Sequence, residues 1–354
     1  MKKADILFWK GKKVLITGHT GFVGTWMCIV LQRYGADISG LSLEAHKSSL
    51  FEKVKNNLSI KNYYVDLREY ESVTKVFDEV KPEIVIHLAA FGFVKECVSE
   101  PFRTYTTNVL GTVNLLEAVK DCETVKNVLI ISSDKVYRND VILTGHIFNE
   151  TDSLGGLDTY SASKTCEDLV SQSYFDTYLK SKNISLEIVR PGNILGGGDH
   201  IQSRLIPSLL NGFDKGESIE IRNKSAIRPW QHILDAIDAY LTIIVNLFEE
   251  KGRIGIYNVG PENDGQMSVG QIFEYLQNKF SKQDMIFDEE TKRNVKEAGY
   301  LGISIEKIKD EFLWKPHKTI RDILDDVFEF YMESKNKTFY DICIDQIEKY
   351  IDCL

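Results

Sequence analysis

No stretch of this chain stays apolar long enough to cross a membrane as a helix, and no two of its six cysteines fall into Cys-x-x-Cys spacing. The first absence excludes a helical membrane anchor. The second argues against a zinc knuckle or a disulfide framework, so no metal site is expected and Cys28, Cys97, Cys122, Cys166, Cys343 and Cys353 read as reduced thiols of a cytoplasmic protein. The opening Met1 to Lys10 is too briefly apolar before Lys10-Gly11-Lys12-Lys13 to read as a signal peptide. A basic run is missing too. With 43 Lys and Arg against 52 Asp and Glu the net charge is -9, which argues against nucleic acid as a partner but leaves room for a local basic pocket holding one diphosphate. Internal repeats and low-complexity tracts are also absent.

What is present suffices for a large core: 354 residues, 43% of them hydrophobic. Short β-branched runs alternate with longer amphipathic stretches. The runs are Val14-Leu15-Ile16, Ile38 to Leu43, Tyr63-Tyr64-Val65, Ile84-Val85-Ile86, Val128 to Ile131 and Leu186 to Val189. That alternation predicts an α/β protein with a doubly wound, Rossmann-like parallel sheet and helices on both faces. Two amphipathic stretches, Thr104 to Lys120 and Tyr160 to Leu179, are long enough for complete helices. After Arg190-Pro191-Gly192-Asn193 the elements shorten. We therefore expect a nucleotide-binding domain over 1–190, joined by a returning strand near 255–260, and a smaller C-terminal lobe over 191–354 that binds substrate. The helix around Leu234 to Phe248 reads with that lobe, and Thr338 to Leu354 reads as a docked amphipathic helix.

The first run ends at Thr17 and enters Gly18-His19-Thr20-Gly21-Phe22-Val23-Gly24. Glycines at this spacing between a strand and a helix give a tight turn and room for a pyrophosphate at the helix N-terminus. Gly18, Thr20, Gly21, Phe22, Val23 and Gly24 are thus candidate dinucleotide contacts. Glu44, twenty residues further on, suits an adenosine ribose hydroxyl, and no arginine lies between Gly35 and Leu50 to receive a 2′-phosphate. NAD is favoured over NADP. Asp66 follows the third run and suits the adenine amino group. Leu67, Leu88, Ala89, Ala90, Asn108 and Ser132 complete the expected cofactor wall at the strand ends.

Tyr160 and Lys164 stand four apart on a predicted helix and so share a face. A tyrosine, with a reference pKa of about 10, is a poor base at neutral pH unless a nearby ammonium favours the phenolate. Lys164 is expected to supply that charge, making Tyr160 the base for a sugar alcohol. Ser133, beyond the fifth run, can hydrogen-bond the same hydroxyl. Asp134 and Lys135 beside it form a second acid–base pair, which an alcohol oxidation alone does not need.

These segments resemble the extended short-chain dehydrogenase/reductases, and within them the CDP-glucose 4,6-dehydratases. The likeness rests on Phe8 to Lys12, Thr17 to Phe22, Ser133-Asp134-Lys135, Tyr160 to Lys164, Gly192-Asn193 with Gly196 to Asp199, Arg204 to Pro207, and Ile227 to His232. It runs nearly end to end, including Cys343 to Ile347. The resemblance implies NAD as cofactor and a nucleotide-diphosphate sugar as substrate. It implies that CDP-D-glucose loses water to give CDP-4-dehydro-6-deoxy-D-glucose, in deoxysugar and surface polysaccharide biosynthesis. It casts Tyr160 as remover of the O4 proton, Lys135 as base at C5 and Asp134 as acid at the C6 hydroxyl. It further implies that Asn193 and Arg228 hold the diphosphate with Arg204 nearby, and that the two long helices build a homodimer or homotetramer. Trp230 fits either the substrate site or the lobe interior.

The sequence departs from that pattern at several positions. Phe91-Gly92-Phe93-Val94 stands where the family has Gln-Pro-Leu-Val, His200 replaces a tryptophan, and Val136 replaces a cysteine. Phe91 is expected beside the sugar, so a heptose is an alternative substrate. A nucleotide-sugar 4-epimerase, which would share Tyr160 and the cofactor but keep the C6 hydroxyl, is the competing activity, and a non-catalytic binding protein of the same fold is a third reading.

Overall fold

The computed structural model describes residues 3–139, 145–217, 219–221, 223–281, 287–289 and 299–353. Seven strands form one parallel sheet. In chain order they are Lys13–Thr17, Asp37–Ser42, Lys61–Tyr64, Ile84–His87, Asn127–Ile131, Ser185–Pro191 and Ile254–Val259. Across the sheet, numbered in that order, they run 3-2-1-4-5-6-7, with the order reversing beside the first strand. Ligands of such sheets bind outside the carboxyl ends of the strands at that reversal.

Alternation along each strand sorts its side chains into two cores. Val14, Ile16, Ile84, Ile86, Leu129 and Val189 face one cluster, which holds helices Phe22–Arg33, Ile233–Leu247 and Phe339–Asp352. Leu15, Val85, Val128, Ile130, Leu186 and Ile188 face the other, against helices Tyr70–Val80 and Gly111–Asp121. Strands buried on both faces carry unbroken apolar runs, which is why they stand out in the sequence.

The last strand pairs in parallel with Ser185–Pro191, aligning Tyr257 with Val189. Parallel neighbours need a crossover that packs on the sheet. Helix Ile233–Leu247 is that crossover. It lies against the main sheet and helix Phe22–Arg33, not with the smaller lobe where the sequence reading put it.

A third cluster gathers Leu195, Ile206, Leu209, Phe213, Trp230, Phe273, Leu276, Ile323 and Val327. It joins helices Leu205–Lys215, Val269–Lys279 and Ile320–Glu333 with the short parallel pair Asn193–Leu195 and Trp230–His232. Trp230 is buried there, its indole donating to the Met267 carbonyl at 3.1 Å. Both long helices form, each with one π-type turn: Thr106–Leu110 between Pro101–Tyr105 and Gly111–Asp121, and Phe175–Leu179 after Thr159–Tyr174. The C-terminal helix docks as expected, with the Tyr350 hydroxyl donating to Asp235 at 2.7 Å. Among the described residues no helix is long and apolar enough to cross a membrane.

Candidate active site

The first strand ends in a turn that only glycine can make. Gly18 has φ +72°, and a Cβ there would lie 2.7 Å from the Ala89 backbone nitrogen. A Cβ on Gly24 would lie 2.2 Å from the Gly18 carbonyl oxygen, so the helix could not pack on the turn with any larger residue. That helix starts at Phe22 from Gly21, with no side chain capping it. Its first N–H groups and positive dipole end are left for an anion. Thr20 donates to the Leu43 carbonyl at 3.1 Å and is hydrogen-bonded to Ser42 at 2.7 Å, tying the turn to the end of the second strand. His19 fills the space left by Gly40 and bonds Asn62 at 2.9 Å; burial lowers its pKa to about 4, so it is neutral. This cradle fits a dinucleotide pyrophosphate.

The expected adenosine contacts differ in character. Glu44 is exposed. Asp66 is gripped by Arg68, whose Nε lies 3.0 Å from each carboxylate oxygen, and this guanidinium holds the Asp66 pKa below the usual range. Leu67 is buried and its carbonyl accepts from Asn114 at 2.8 Å.

The wall between cofactor turn and catalytic helix is one connected network. The Thr17 hydroxyl is 2.7 Å from His87 Nδ1 and accepts the Ala89 N–H at 3.2 Å. His87 Nε2 is 3.0 Å from the Thr112 hydroxyl, which itself donates to the Asn108 carbonyl at 2.7 Å. His87 therefore donates from Nε2 and accepts at Nδ1, and burial, with the Lys164 charge second, lowers its pKa to about 3. Leu88 donates its N–H to the Thr17 carbonyl, and Ala90 is exposed. Asn108 sits in the π-type turn. Its Oδ1 accepts from the Phe91 N–H at 2.7 Å, and its Nδ2 donates to the Phe91 carbonyl at 3.1 Å and to Ser163 at 2.9 Å. Both amide hydrogens are thus committed inside the protein.

Asp158 caps the catalytic helix by accepting from the Ser161 N–H at 3.0 Å, which sets Tyr160 in the first turn. Lys164, buried, donates to the Ile131 carbonyl at 2.8 Å and to Glu167. Its hydrogen bonds go to those two groups rather than to Tyr160. Burial is the main cause raising the Tyr160 pKa; a hydrogen bond with Ser133 opposes it, and the charges of Asp134 and Glu167 add to it.

The fifth strand runs on through Ser132, whose N–H donates to the Val189 carbonyl at 2.8 Å, into a single tight turn over Asp134–Val136. Ser133 caps that turn, accepting from the Lys135 N–H at 3.2 Å and donating to Asp134 Oδ1 at 3.0 Å. Lys135 Nζ donates to the same Oδ1 at 3.0 Å and reaches Asn193 Oδ1 at 3.4 Å. Asp134 is 1% exposed, and its Oδ2 is buried with no hydrogen-bond partner. A buried acid with one oxygen unused, sharing a hydrogen bond with an amine, can both give and take protons.

Asn193 is brought to this cluster because Gly192 lets the chain pass the Pro229 carbonyl, 2.4 Å from where a Cβ would stand. The other expected substrate residues have partners of their own. Arg204 donates to Asp199 at 2.9 Å and lies over the Phe93 ring at 5.3 Å. Arg228 donates to the Ile227 carbonyl at 2.9 Å. The Phe91 ring packs under Arg103 at 4.4 Å and is 8% exposed.

Three buried groups escaped the sequence reading. Arg190 donates to Asp168 at 2.8 Å and to the Tyr137 hydroxyl at 3.2 Å, pinning the catalytic helix to the sixth strand. Glu167 pairs with Lys164, and burial, opposed by the Lys164 charge, pushes its pKa up to about 7. The spacing of Glu167 from Lys164, three residues along a helix, was a usable signal. Asp168 with Arg190 left none, because that pairing is made only by the fold.

A parallel sheet with a glycine cradle and a Tyr160–Lys164 pair at its carboxyl edge defines an extended short-chain dehydrogenase/reductase. The model of the NAD dependent epimerase/dehydratase family matches residues 14–260, and the chain belongs to that family. It is 35% identical to the CDP-glucose 4,6-dehydratase of Salmonella typhimurium over 334 residues, 92% of each chain. Among solved structures it resembles the dTDP-glucose 4,6-dehydratase of Bacillus anthracis in complex with NAD, with a TM-score of 0.76 and 23% identity over 94% of this chain and 100% of that one. It also resembles the UDP-glucose 4-epimerase of Thermotoga maritima, with a TM-score of 0.78 and 20% identity over 91% and 99% of the two chains.

Proposed function

We propose that this enzyme is an NAD-dependent hydro-lyase that converts CDP-D-glucose to CDP-4-dehydro-6-deoxy-D-glucose, a step toward deoxysugars of surface polysaccharide. The Asp134–Lys135 pair carries the reading. An epimerase or simple oxidoreductase needs one base at the C4 hydroxyl; elimination of water across C5 and C6 needs a second base and an acid as well. The likeness to the Salmonella CDP-glucose enzyme supports the nucleotide and the sugar.

Gly18, Gly21 and Gly24 with the uncapped helix start would hold the NAD pyrophosphate, and Tyr160 and Lys164 its nicotinamide end. Bound NAD supplies the redox chemistry, taking hydrogen with its electron pair from C4 and giving it back at C6. Tyr160 removes the O4 proton, and the 4-ketone makes the C5 proton acidic. A proton passed from Lys135 to Asp134 along their hydrogen bond of 3.0 Å leaves a neutral amine and a carboxylic acid in place. Lys135 then takes the C5 proton, Asp134 protonates the departing C6 hydroxyl, and Lys135 returns a proton to C5. The proton Tyr160 took balances the one that leaves in water, and Ser133, hydrogen-bonded to both Tyr160 and Asp134, links them. Asn193, reached by Lys135, orients the diphosphate sugar beside this pair, with Arg204 and Arg228 on the same lobe.

The active form is proposed to be a homodimer or homotetramer in the cytoplasm. Phe102, Tyr105 and Leu110 on one long helix and Leu169 and Tyr178 on the other are exposed large hydrophobics, more than a solitary surface usually shows on two neighbouring helices. Leu169→Glu should convert the oligomer to monomer in sedimentation.

The deciding experiment offers CDP-, dTDP- and UDP-glucose carrying deuterium at C4. Loss of water from the CDP-sugar alone, with the label recovered on the product methyl group, is the expected result. Unchanged mass with inverted C4 would instead make the protein an epimerase, and water loss from a CDP-heptose in preference to CDP-glucose would move the substrate assignment.

A further inference from the structure

Glu167 is a buried carboxyl group that the chemistry above does not use. Its Oε2 accepts a hydrogen bond from Lys164 Nζ, its Oε1 is buried with no partner, and the two residues are 1% and 2% exposed by side chain. A buried lysine needs a counter-ion. The same counter-ion cancels the charge by which Lys164 would favour the Tyr160 phenolate, and Glu167 acts against that phenolate directly.

We propose that Glu167 is a positioning residue that anchors Lys164 and, by gaining or losing its own proton, sets how much positive charge Tyr160 feels. With Glu167 protonated, Lys164 acts on Tyr160 unopposed. With Glu167 ionised, the pair is close to neutral and Tyr160 becomes harder to deprotonate. The two acids are therefore coupled: each proton lost from one makes the other hold its proton more firmly, so Tyr160 titrates higher beside an ionised Glu167. The pKa of about 7 for Glu167 puts this coupling in the physiological range.

Other groups packed around the pair act on it too. Asp168, next on the helix, disfavours the Glu167 carboxylate, and its own charge is held by Arg190 from the sixth strand. His87 on the fourth strand faces Lys164 and is neutral, while Asp134 in the turn and Cys97 on helix Val94–Ser99 face Tyr160. None of these hydrogen-bonds the buried Oε1.

The role rests on Tyr160 being the base in the proposed reaction, but it can be measured without a sugar. The tyrosinate absorbance of the NAD-loaded protein, minus that of its Tyr160→Phe variant, is titrated with pH for parent, Glu167→Gln and Glu167→Asp. Glu167→Gln should lower the Tyr160 midpoint by about one pH unit. Glu167→Asp, which keeps the charge on a shorter arm, should fall between, and it reads the coupling even where Glu167→Gln folds poorly. An unchanged midpoint in both variants would overturn the proposal, whatever happens to stability. The pH profile of kcat/KM with CDP-glucose should move in parallel; a parent that makes no ketone from CDP-glucose would defeat the dehydratase reading and leave the titration standing.

Discussion

Asp134 and Lys135 share one hydrogen bond, and removing either should stop the reaction after oxidation at C4. Lys135→Met takes away the C5 base but not Tyr160, so oxidation at C4 should continue while exchange of the C5 proton with deuterated solvent falls by about 10²–10⁴-fold. Asp134→Asn removes both the acid and the group that takes the Lys135 proton, so water loss should fall and C5 exchange should fall with it. Both are read by mass spectrometry of sugar recovered after single turnover, and undiminished C5 exchange in Lys135→Met would transfer the base role elsewhere. Gly18 offers a test of the cradle. Alanine there combines a left-handed φ of +72° with a Cβ 2.7 Å from the Ala89 nitrogen, so the turn must open. A cost of about 1–3 kcal/mol in urea unfolding and loss of co-purifying NAD are expected. Normal NAD content would show that the turn does not hold the pyrophosphate.

Elements differ in how openly the sequence declares them. Strands buried on both faces, such as those holding Val14 to Ile16 and Ile84 to Ile86, announce themselves as apolar runs; the mostly exposed edge strand Lys61–Tyr64 was read late, from Tyr63, and Ile254–Val259 late as well, from Tyr257. The turn and helix start proposed to be catalytic were legible because Ser133 to Lys135 and Tyr160 to Lys164 each stand within a few residues of one another. What stayed hidden depends on partners far along the chain. Helix Ile233–Leu247 follows the lobe residues in sequence, but the parallel pairing of Ile254–Val259 with Ser185–Pro191 draws it onto the main sheet. The π-type turn at Thr106–Leu110 leaves no mark in composition, and the commitment of Asn108 to the Phe91 backbone could not be read at all. That clamp is testable. Asn108→Leu strands the buried Phe91 N–H, leaves the Phe91 carbonyl with only the weak Cys97 thiol donor at 3.2 Å, and unties Ser163, at a cost of about 1–3 kcal/mol. Because the freed loop adjoins the cofactor wall, KM for the sugar should rise more than kcat falls. A variant with parental unfolding midpoint and parental KM would mean that the loop is held by other contacts.

On the scale of the whole molecule, stability should depend on pH from both sides, for opposite reasons. His87 and His232 are buried, and burial lowers each to a pKa of about 3. The unfolded chain binds these protons first, so the histidines' contribution is present above their ordinary value of 6.5 and lost as pH falls toward 3. Glu187 acts the other way. It lies in the middle of the sixth strand, accepts from Asn127 at 3.1 Å through Oε1, leaves Oε2 without a partner, and is pushed up to about 8 by burial, with the Asn127 hydrogen bond opposing. Here the folded state holds a proton that the unfolded state releases above its ordinary 4.5. Stability is therefore greatest below that value and is lost as pH rises to about 8, after which it levels. Glu167, at about 7, and Asp235, at about 6, add to the same slope. The two trends cross in mildly acid solution, where the unfolding midpoint should be highest. Glu187→Gln fills the same space without a titrating proton. Near pH 5 it should match the parent, and near pH 8 it should be the more stable by a few kcal/mol at most, each tenfold change in proton affinity being worth about 1.4 kcal/mol. Urea unfolding of the two proteins across that interval measures the difference directly. If parent and variant lose stability in parallel up to pH 8, Glu187 is already ionised in the fold, and the alkaline slope must come from the groups around the active site instead.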